Sequence, residues 1–443
     1  MSSKRPSGTP APRIHLTTLG CAKNLVDSER ILARLASAGA LVGASVEDAD
    51  ILIVNTCGFI DSAKQESVHA ILDAVRAKTE GSPKRVLVMG CLAQRYAAQL
   101  RSEIPEVDGV FGLSEQNAVI AACSLTPVRE DGRLLLTPPH TAYLRISDGC
   151  DNRCSYCTIP MIRGPLHSRP SEEILAEAED LASHGVRELV VIGQDTTSYG
   201  ADRPGEIPIH HLLHRISQID GPRWIRLLYA HPAHFSDELI DAYATIPTLC
   251  PYVDLPLQHA SDAVLRRMGR RTTRTECLDR IERLRRRVPR ITIRTTFIVG
   301  FPGETRRDFG ELLQFVRTVR FDHVGVFAYS QEEETPAAEL PHQVPLRIRR
   351  RRRRRLMLLQ QRIAYRNAAA LIGQLVDVLI DGPAGHPNQW IGRTAAQAPD
   401  VDPVTLVTGS DLYPGQFVRA RVTRSDGYDT HAVSLQGDRP GSS

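Results

Sequence analysis

Cys150, Cys154 and Cys157 fall within one eight-residue stretch, Cys-Asp-Asn-Arg-Cys-Ser-Tyr-Cys, so the surrounding chain must fold to hold three thiols around one centre. A cubane iron–sulfur cluster closed by cysteines takes four thiolates, and three leave one iron open. Clusters that only carry electrons are usually closed, so an open iron implies that a small molecule binds and reacts there. A zinc site or a redox pair competes with this reading, because Cys154 and Cys157 form a CxxC. Zinc wants a fourth ligand nearby, yet the nearest downstream histidine, His167, lies ten residues on and the chain has no second CxxC. A thioredoxin-type pair would sit at a helix start without Cys150.

The CxxxCxxC spacing resembles that of the radical S-adenosylmethionine (SAM) enzymes. The resemblance implies that the amino and carboxylate groups of SAM occupy the open iron. It also implies that the reduced cluster cleaves SAM to methionine and a 5′-deoxyadenosyl radical, which takes hydrogen from an unactivated carbon.

Three further cysteines extend the pattern. Cys21 closes Ile14-His-Leu-Thr-Thr-Leu-Gly, Cys57 closes Asp50-Ile-Leu-Ile-Val-Asn-Thr, and Cys91 closes Arg85-Val-Leu-Val-Met-Gly. Each run is short, apolar and rich in β-branched residues, as buried strands are. Helical patterns follow: Ile31, Leu32 and Leu35 up to Gly39, then Val68, Ile71, Leu72 and Val75 behind a capping box from Ser62 to Gln65. Alternating strands and helices predict a parallel sheet covered on both faces, with ligand-binding groups at the carboxyl ends of its strands. Spaced 36 and 34 residues apart, the three thiols would converge there and could hold a second cluster with its own open iron. A lone buried cysteine is usually a small hydrophobe, and Cys123, Cys250 and Cys277 read that way.

The blocks Leu19-Gly-Cys-Ala-Lys-Asn-Leu-Val-Asp-Ser-Glu, Asn55-Thr-Cys-Gly-Phe-Ile-Asp-Ser-Ala and Cys150 to Arg163 with Ile159-Pro-Met-Ile-Arg-Gly resemble the methylthiotransferase family of radical SAM enzymes. Within them, Gly58-Phe-Ile-Asp and Asp254-Leu-Pro-Leu-Gln-His-Ala-Ser-Asp are similar to the RimO branch, and the resemblance runs from about Arg13 to about Val433. It implies a methylthio group added to the β-carbon of an aspartate in ribosomal protein uS12, with two 4Fe-4S clusters and SAM as cofactors. Cys150, Cys154 and Cys157 would hold the cluster that generates the radical. Cys21, Cys57 and Cys91 would hold the one that presents sulfur, already methylated by a second SAM, with both clusters facing a shared cavity. A β-carbon has no proton acidic enough for base catalysis at neutral pH, so no general acid or base is expected. An electron donor such as flavodoxin is implied. Two alternatives stay open: the tRNA branch, MiaB-like, acting on an adenosine beside the anticodon, and a non-catalytic electron carrier or RNA-binding adapter.

With 443 residues the chain exceeds one ordinary core. Residues 1–12 read as a disordered tail and 13–130 as the amino-terminal parallel-sheet domain. Residues 136–370 read as a central partial (β/α)6 radical SAM barrel with an Arg-rich linker helix, and 372–440 as a small antiparallel β-barrel resembling the TRAM module. Strands are predicted at Tyr143–Ile146, Leu189–Ile192, Ile225–Tyr229, Tyr252–Leu255, Ile291–Phe297 and Val324–Tyr329, with outer helices such as Ser171–Ser183 and Thr275–Arg287. The carboxyl ends of such strands carry the chemistry. Gln194 and Asp195 stand where radical SAM enzymes usually carry a glycine-rich segment ending in Glu. With Arg294 in the fifth strand, they are the candidate SAM contacts. Gln258, His259 and Gly300–Glu304 share the rim, where the glycines serve equally well as turn residues.

Net charge is +4, but Arg349–Arg355 are seven consecutive arginines, and without them the balance is −3. An exposed, solvated helix is the favoured reading of that run over an RNA contact. The segment from Gly373 on holds eight Asp, no Glu, five Arg and no Lys, a poor phosphate binder and a plausible dock for a basic protein. Nine cysteines, an odd number, fit a reducing, cytoplasmic setting. No apolar stretch approaches the ~18 residues that span a membrane.

Overall fold

The computed structural model describes residues 10–127 and 132–435. Most of the expected tail, residues 128–131 beside the first expected domain boundary, and the end of the expected terminal domain lie outside the described residues. The chain forms two compact units, one of Met1–Leu136 with Thr158–Pro165, the other of Thr137–Cys157 with Leu166–Ser443.

The first unit is built on a five-stranded parallel sheet in the order Leu41–Val42, Arg13–Thr18, Ile51–Thr56, Arg85–Gly90, Gly109–Phe111. Its central strand, Ile51–Thr56, is buried at every residue, which is why it reads as an unbroken apolar run and not as an alternation. Ile31 and Leu35 of the helix Ala22–Ser37 join the core on one face, and Ile71, Ala74 and Leu92 join that on the other. The capping box expected from Ser62 to Gln65 does not form. The helix Asp61–Thr79 starts one residue before Ser62, its N-cap Ile60 lends no side-chain bond, and the Gln65 amide donates to Asp61 at 2.9 Å. Asp61 in the first turn meets the helix dipole instead.

The second unit carries six parallel strands in two halves, Thr141–Arg145, Glu188–Ile192 and Trp224–Leu227, then Tyr252–Asp254, Thr292–Val299 and His323–Ala328. An isolated bridge from Ile225 to Leu249 lies at the seam. Outer helices include Ser171–Ser183 and Arg274–Arg287. A closed five-stranded barrel follows, and it corrects two expectations. The strand Gln389–Thr394 was hidden by Gly392, where a Cβ would sit 2.7 Å from the Leu379 carbonyl oxygen, so glycine here serves close packing and not a turn. Thr405–Thr408 pairs in parallel with Asp429–Ser434, so the barrel is not wholly antiparallel.

Polar side chains fasten this small barrel to the amino ends of the large one. Buried Glu188 accepts from Arg226 at 2.9 Å and from Arg393 at 2.6 Å, and Arg393 also bonds Asp381, which meets His140 at 3.0 Å. The Tyr143 hydroxyl donates to Asp400 at 2.8 Å and that of Tyr252 to Asp402 at 2.6 Å. Burial alone would raise the Glu188 carboxyl, but Arg393 and Arg226 hold it below the usual range. Removing one partner of a buried ion pair costs about 3–5 kcal/mol. Arg393→Leu is therefore expected to destabilise the second unit by about that much, read by denaturant unfolding followed on Trp224 and Trp390. Three of the terminal aspartates, Asp381, Asp400 and Asp402, are thus engaged by partners in the larger barrel, which weakens the expected acidic dock.

The arginine run is not simply solvated. It opens the helix Leu346–Ala369, whose inner face buries Arg349 and Arg352. Arg349 donates to the Val344 and Tyr329 carbonyls at 2.6 and 2.9 Å, and Arg352 to the Glu304 carbonyl at 2.9 Å with its carboxylate at 3.2 Å. Guanidinium groups that find carbonyls and a carboxylate can be buried, and helical spacing selects these two from the seven.

Candidate active site

In the first unit all three thiols stand at carboxyl ends of neighbouring parallel strands. Cys21 is the N-cap of Ala22–Ser37, Cys57 follows Ile51–Thr56, and Cys91 opens the helix Cys91–Glu103. Glycine lets the backbones close up. A Cβ at Gly20, where φ is +94°, would lie 2.8 Å from Cys57 Cβ and 3.0 Å from its Sγ. At Gly90, with φ +101°, it would lie 2.6 Å from the Thr56 carbonyl oxygen. Helix amino ends at Cys21 and Cys91 favour anionic sulfur.

Arg163, carried by the short segment that follows Cys157, is the cation of this site. Its guanidinium donates to Asn24 Oδ1 and Asp27 Oδ2, both at 2.8 Å, and lies 3.6 Å from Cys91 Sγ. The Cys91 thiol donates to Asn24 Oδ1 at 3.3 Å. Burial pushes the Cys91 thiol up to about 12 and raises Cys57, with Arg163 pulling both the other way. Asn24 ties the helix to the strand ends by donating to the Leu19 and Thr56 carbonyls at 3.0 and 2.9 Å.

In the second unit Cys150, Cys154 and Cys157 follow the first barrel strand. Their loop is pinned at Ser155, whose N–H donates to the Met268 carbonyl at 3.0 Å, whose hydroxyl donates to that of Arg267 at 2.8 Å, and whose own carbonyl accepts from Ala337 at 2.8 Å. Buried Arg270 approaches Cys154 Sγ at 3.7 Å. Asn152 bridges, with its amide 3.4 Å from Cys150 Sγ and 2.7 Å from Asp195 Oδ2. Among the described residues neither thiol triad is drawn within 4.8 Å on all sides; Asp195, His231 and His234 are.

The other candidate SAM contacts divide. Gln194 and Asp195 reach the cysteine loop: Gln194 donates to Asp148 Oδ1 at 2.9 Å, and its own amide oxygen is buried without a partner. Asp195 accepts from Thr197, Ser198, His234 and Asn152. Burial would raise its carboxyl, but the bond from His234, the nearby His231 and the two hydroxyls hold it well below the usual range. Arg294 goes elsewhere. It stands third in its strand, away from the carboxyl end, with its guanidinium 3.5 Å from Asp254 and 3.3 Å from Asp402. His259 is buried with its Nδ1 accepting from the Ser261 N–H, and Glu304 accepts from the Gly300 and Phe301 N–H groups. Both serve the rim's architecture. Sequence reasoning quoted Asn152 and Arg163 within the block Cys150 to Arg163 but gave them no role, and it missed Arg270 and His234, single residues of common types with no spacing to mark them.

Comparison with known proteins agrees with this arrangement. The radical SAM superfamily model matches residues 144–316, the uncharacterized protein family UPF0004 residues 13–112, and the TRAM domain residues 372–434. The solved radical SAM methyltransferase TsrM from Kitasatospora setae superposes with a TM-score of 0.54 at 14% identity, covering 74% of each chain, a likeness of fold. These parts define a radical SAM enzyme with an added amino-terminal domain. Relatives called ribosomal protein uS12 methylthiotransferase RimO are 45% identical in Pelotomaculum thermopropionicum, over 94% of this chain and 98% of the relative. In Desulforudis audaxviator the identity is 46%, over 96% and 97%. The chain belongs to the RimO family of radical SAM methylthiotransferases, which carry two 4Fe-4S clusters and use SAM.

Proposed function

We propose that this chain adds a methylthio group to the β-carbon of an aspartate in ribosomal protein uS12, with Cys150, Cys154 and Cys157 holding one cluster and Cys21, Cys57 and Cys91 the other. The observation that carries this reading is the pair of thiol triads, one at the carboxyl ends of three neighbouring parallel strands and the other on the loop after the first barrel strand, each beside a buried arginine. Bound clusters and SAM supply the radical that removes hydrogen and the methylthio group that replaces it. The chain's own residues prepare the ground. Arg163 and Arg270 offset the negative charge of three thiolates apiece. Gln194 offers its unpartnered amide oxygen to the ammonium of SAM, and Asp195 keeps Asn152 turned onto the cysteine loop. Arg294 is better accounted for as a tie between the two barrels of its unit. No helix among the described residues is long and apolar enough to cross a membrane. The enzyme is proposed to act in the cytoplasm and to take its electrons from a donor such as flavodoxin.

The test is anaerobic reaction of reconstituted enzyme, SAM, reductant and sulfide with uS12 and, separately, with tRNA. Mass spectrometry should find one methylthio group in place of hydrogen on the uS12 aspartate and unmodified tRNA. A methylthioadenosine in tRNA with unchanged uS12 would overturn the reading in favour of the tRNA branch.

A further inference from the structure

The outer face of the helix Leu346–Ala369 has no role in the site described above. Arg347, Arg350, Arg351, Arg354, Arg355, Arg362 and Arg366 are all exposed on it, and the helix contains no acidic residue. At 1.5 Å per residue the ridge from Arg347 to Arg366 is about 28 Å long. A solvated helix ordinarily alternates its charges, because like charges three or four positions apart destabilise it. Here Arg347 and Arg351, Arg350 and Arg354, and Arg351 and Arg355 stack four apart with no carboxylate between them. The helix tolerates this because its other face is firmly held, with Leu356 and Ile363 buried and Arg349 and Arg352 bonded inside.

We propose that this arginine ridge is a docking surface for the phosphate backbone of RNA, through which the enzyme engages its protein substrate within an RNA-bearing particle, the ribosomal small subunit. The second part rests on uS12 being the substrate; the first does not. Guanidinium forks suit phosphate oxygens, and a rigid line of them matches a rigid line of anions. A membrane surface is a poorer occupant. An interfacial helix must offer a continuous apolar face to lipid; here Leu356 and Ile363 are buried, and the exposed Leu346, Leu358 and Tyr365 stand seven or more positions apart among the arginines.

The experiment compares the wild-type chain, the quadruple variant R350Q/R351Q/R354Q/R355Q, and an equal-charge control, R271Q/R286Q/R317Q/R421Q, altered at exposed positions off the helix. Affinity is measured for a 20-base-pair RNA duplex and for small subunits across a salt series. Loss of four phosphate contacts should lower the slope of log affinity against log salt by about 3.6 and weaken binding by on the order of tenfold or more, with the control close to wild type. Methylthiolation of uS12 in subunits should fall correspondingly, while free uS12 is modified at the wild-type rate. Unchanged duplex binding, an equal loss in the control, or equally strong salt-sensitive binding of phosphatidylserine vesicles or polyglutamate would overturn the proposal. Failure of wild-type chain to modify uS12 in either form would overturn the substrate reading alone, because duplex binding decides the ridge by itself.

Discussion

Replacing Cys154 with alanine is expected to abolish SAM cleavage and to remove one of two clusters, taking reconstituted protein from about eight irons to about four. The effect should be complete because a cubane that loses one of three thiolates has no ready substitute here: the Arg270 guanidinium near Cys154 cannot bind iron, and the Tyr156 hydroxyl beside it is buried, which keeps its proton on. Arg270 would be left buried without its sulfur partner, so folding must be checked independently, by the unchanged Trp224 and Trp390 fluorescence. Cys123→Ala is the control. Cys123 is fully buried in the apolar core of the first unit, and its loss should leave both clusters and SAM cleavage in place. Iron content of about eight in the Cys154 variant, or bound zinc in the wild-type protein, would contradict the assignment.

How much of this was legible beforehand follows from the kind of signal each part sends. The strands before Cys57 and Cys91 are buried on both faces, so their composition announces them without need of periodicity, while that before Cys21 is half-buried and was marked by its apolar run; their parallel order followed from the helices between them. The six barrel strands were placed within two residues at their starts; the first four are buried at every residue, whereas Thr292–Val299 alternates and His323–Ala328 is mostly half-buried. Gln389–Thr394 was not, because Gly392 is required by the approach of the neighbouring strand, a demand that only the folded partner reveals. The parallel pair in the small barrel is likewise a long-range pairing, between Thr405–Thr408 and Asp429–Ser434, that no local pattern marks.

Site residues divide along the same line. Cysteines are rare and their spacing is chemistry, so all six candidate ligands could be read directly. Arginine is the commonest charged residue in this chain and carries no such mark. Arg163 and Arg270 are distinguished only by the sulfurs they reach, and Arg294 looked like a ligand candidate because its strand leads to the rim, whereas its own position lies near the strand's start. The arginine run misled in the opposite sense. A continuous block of charge reads as solvated on average, but helical geometry turned Arg349 and Arg352 inward and made the rim segment Gly300–Glu304 depend on them. Composition could not show that three of the eight terminal aspartates are committed to the barrel floor, so substitution of Asp381 would disturb the fold before it tested any substrate contact.

Cys57→Ala separates the two triads. If the amino-terminal site serves sulfur transfer and not radical generation, the variant should still convert SAM to 5′-deoxyadenosine under reducing conditions, yet form no methylthio product on uS12. The geometry favours a clean separation. Cys57 hydrogen-bonds through its backbone to Ser67, donating its N–H at 2.9 Å and accepting through its carbonyl at 2.8 Å. Those bonds do not involve the thiol, so alanine should leave the strand end in place. The side chain is buried in close contact with Gly20, and the change removes only one sulfur, a cost at the small end for core truncations. Iron should fall to about four per chain, with the remaining cluster giving the same reduced-state EPR signal as the radical-generating cluster of the wild type. Deoxyadenosine formation lost together with the product, in protein that keeps that signal, would mean that the two triads do not divide the work in this way.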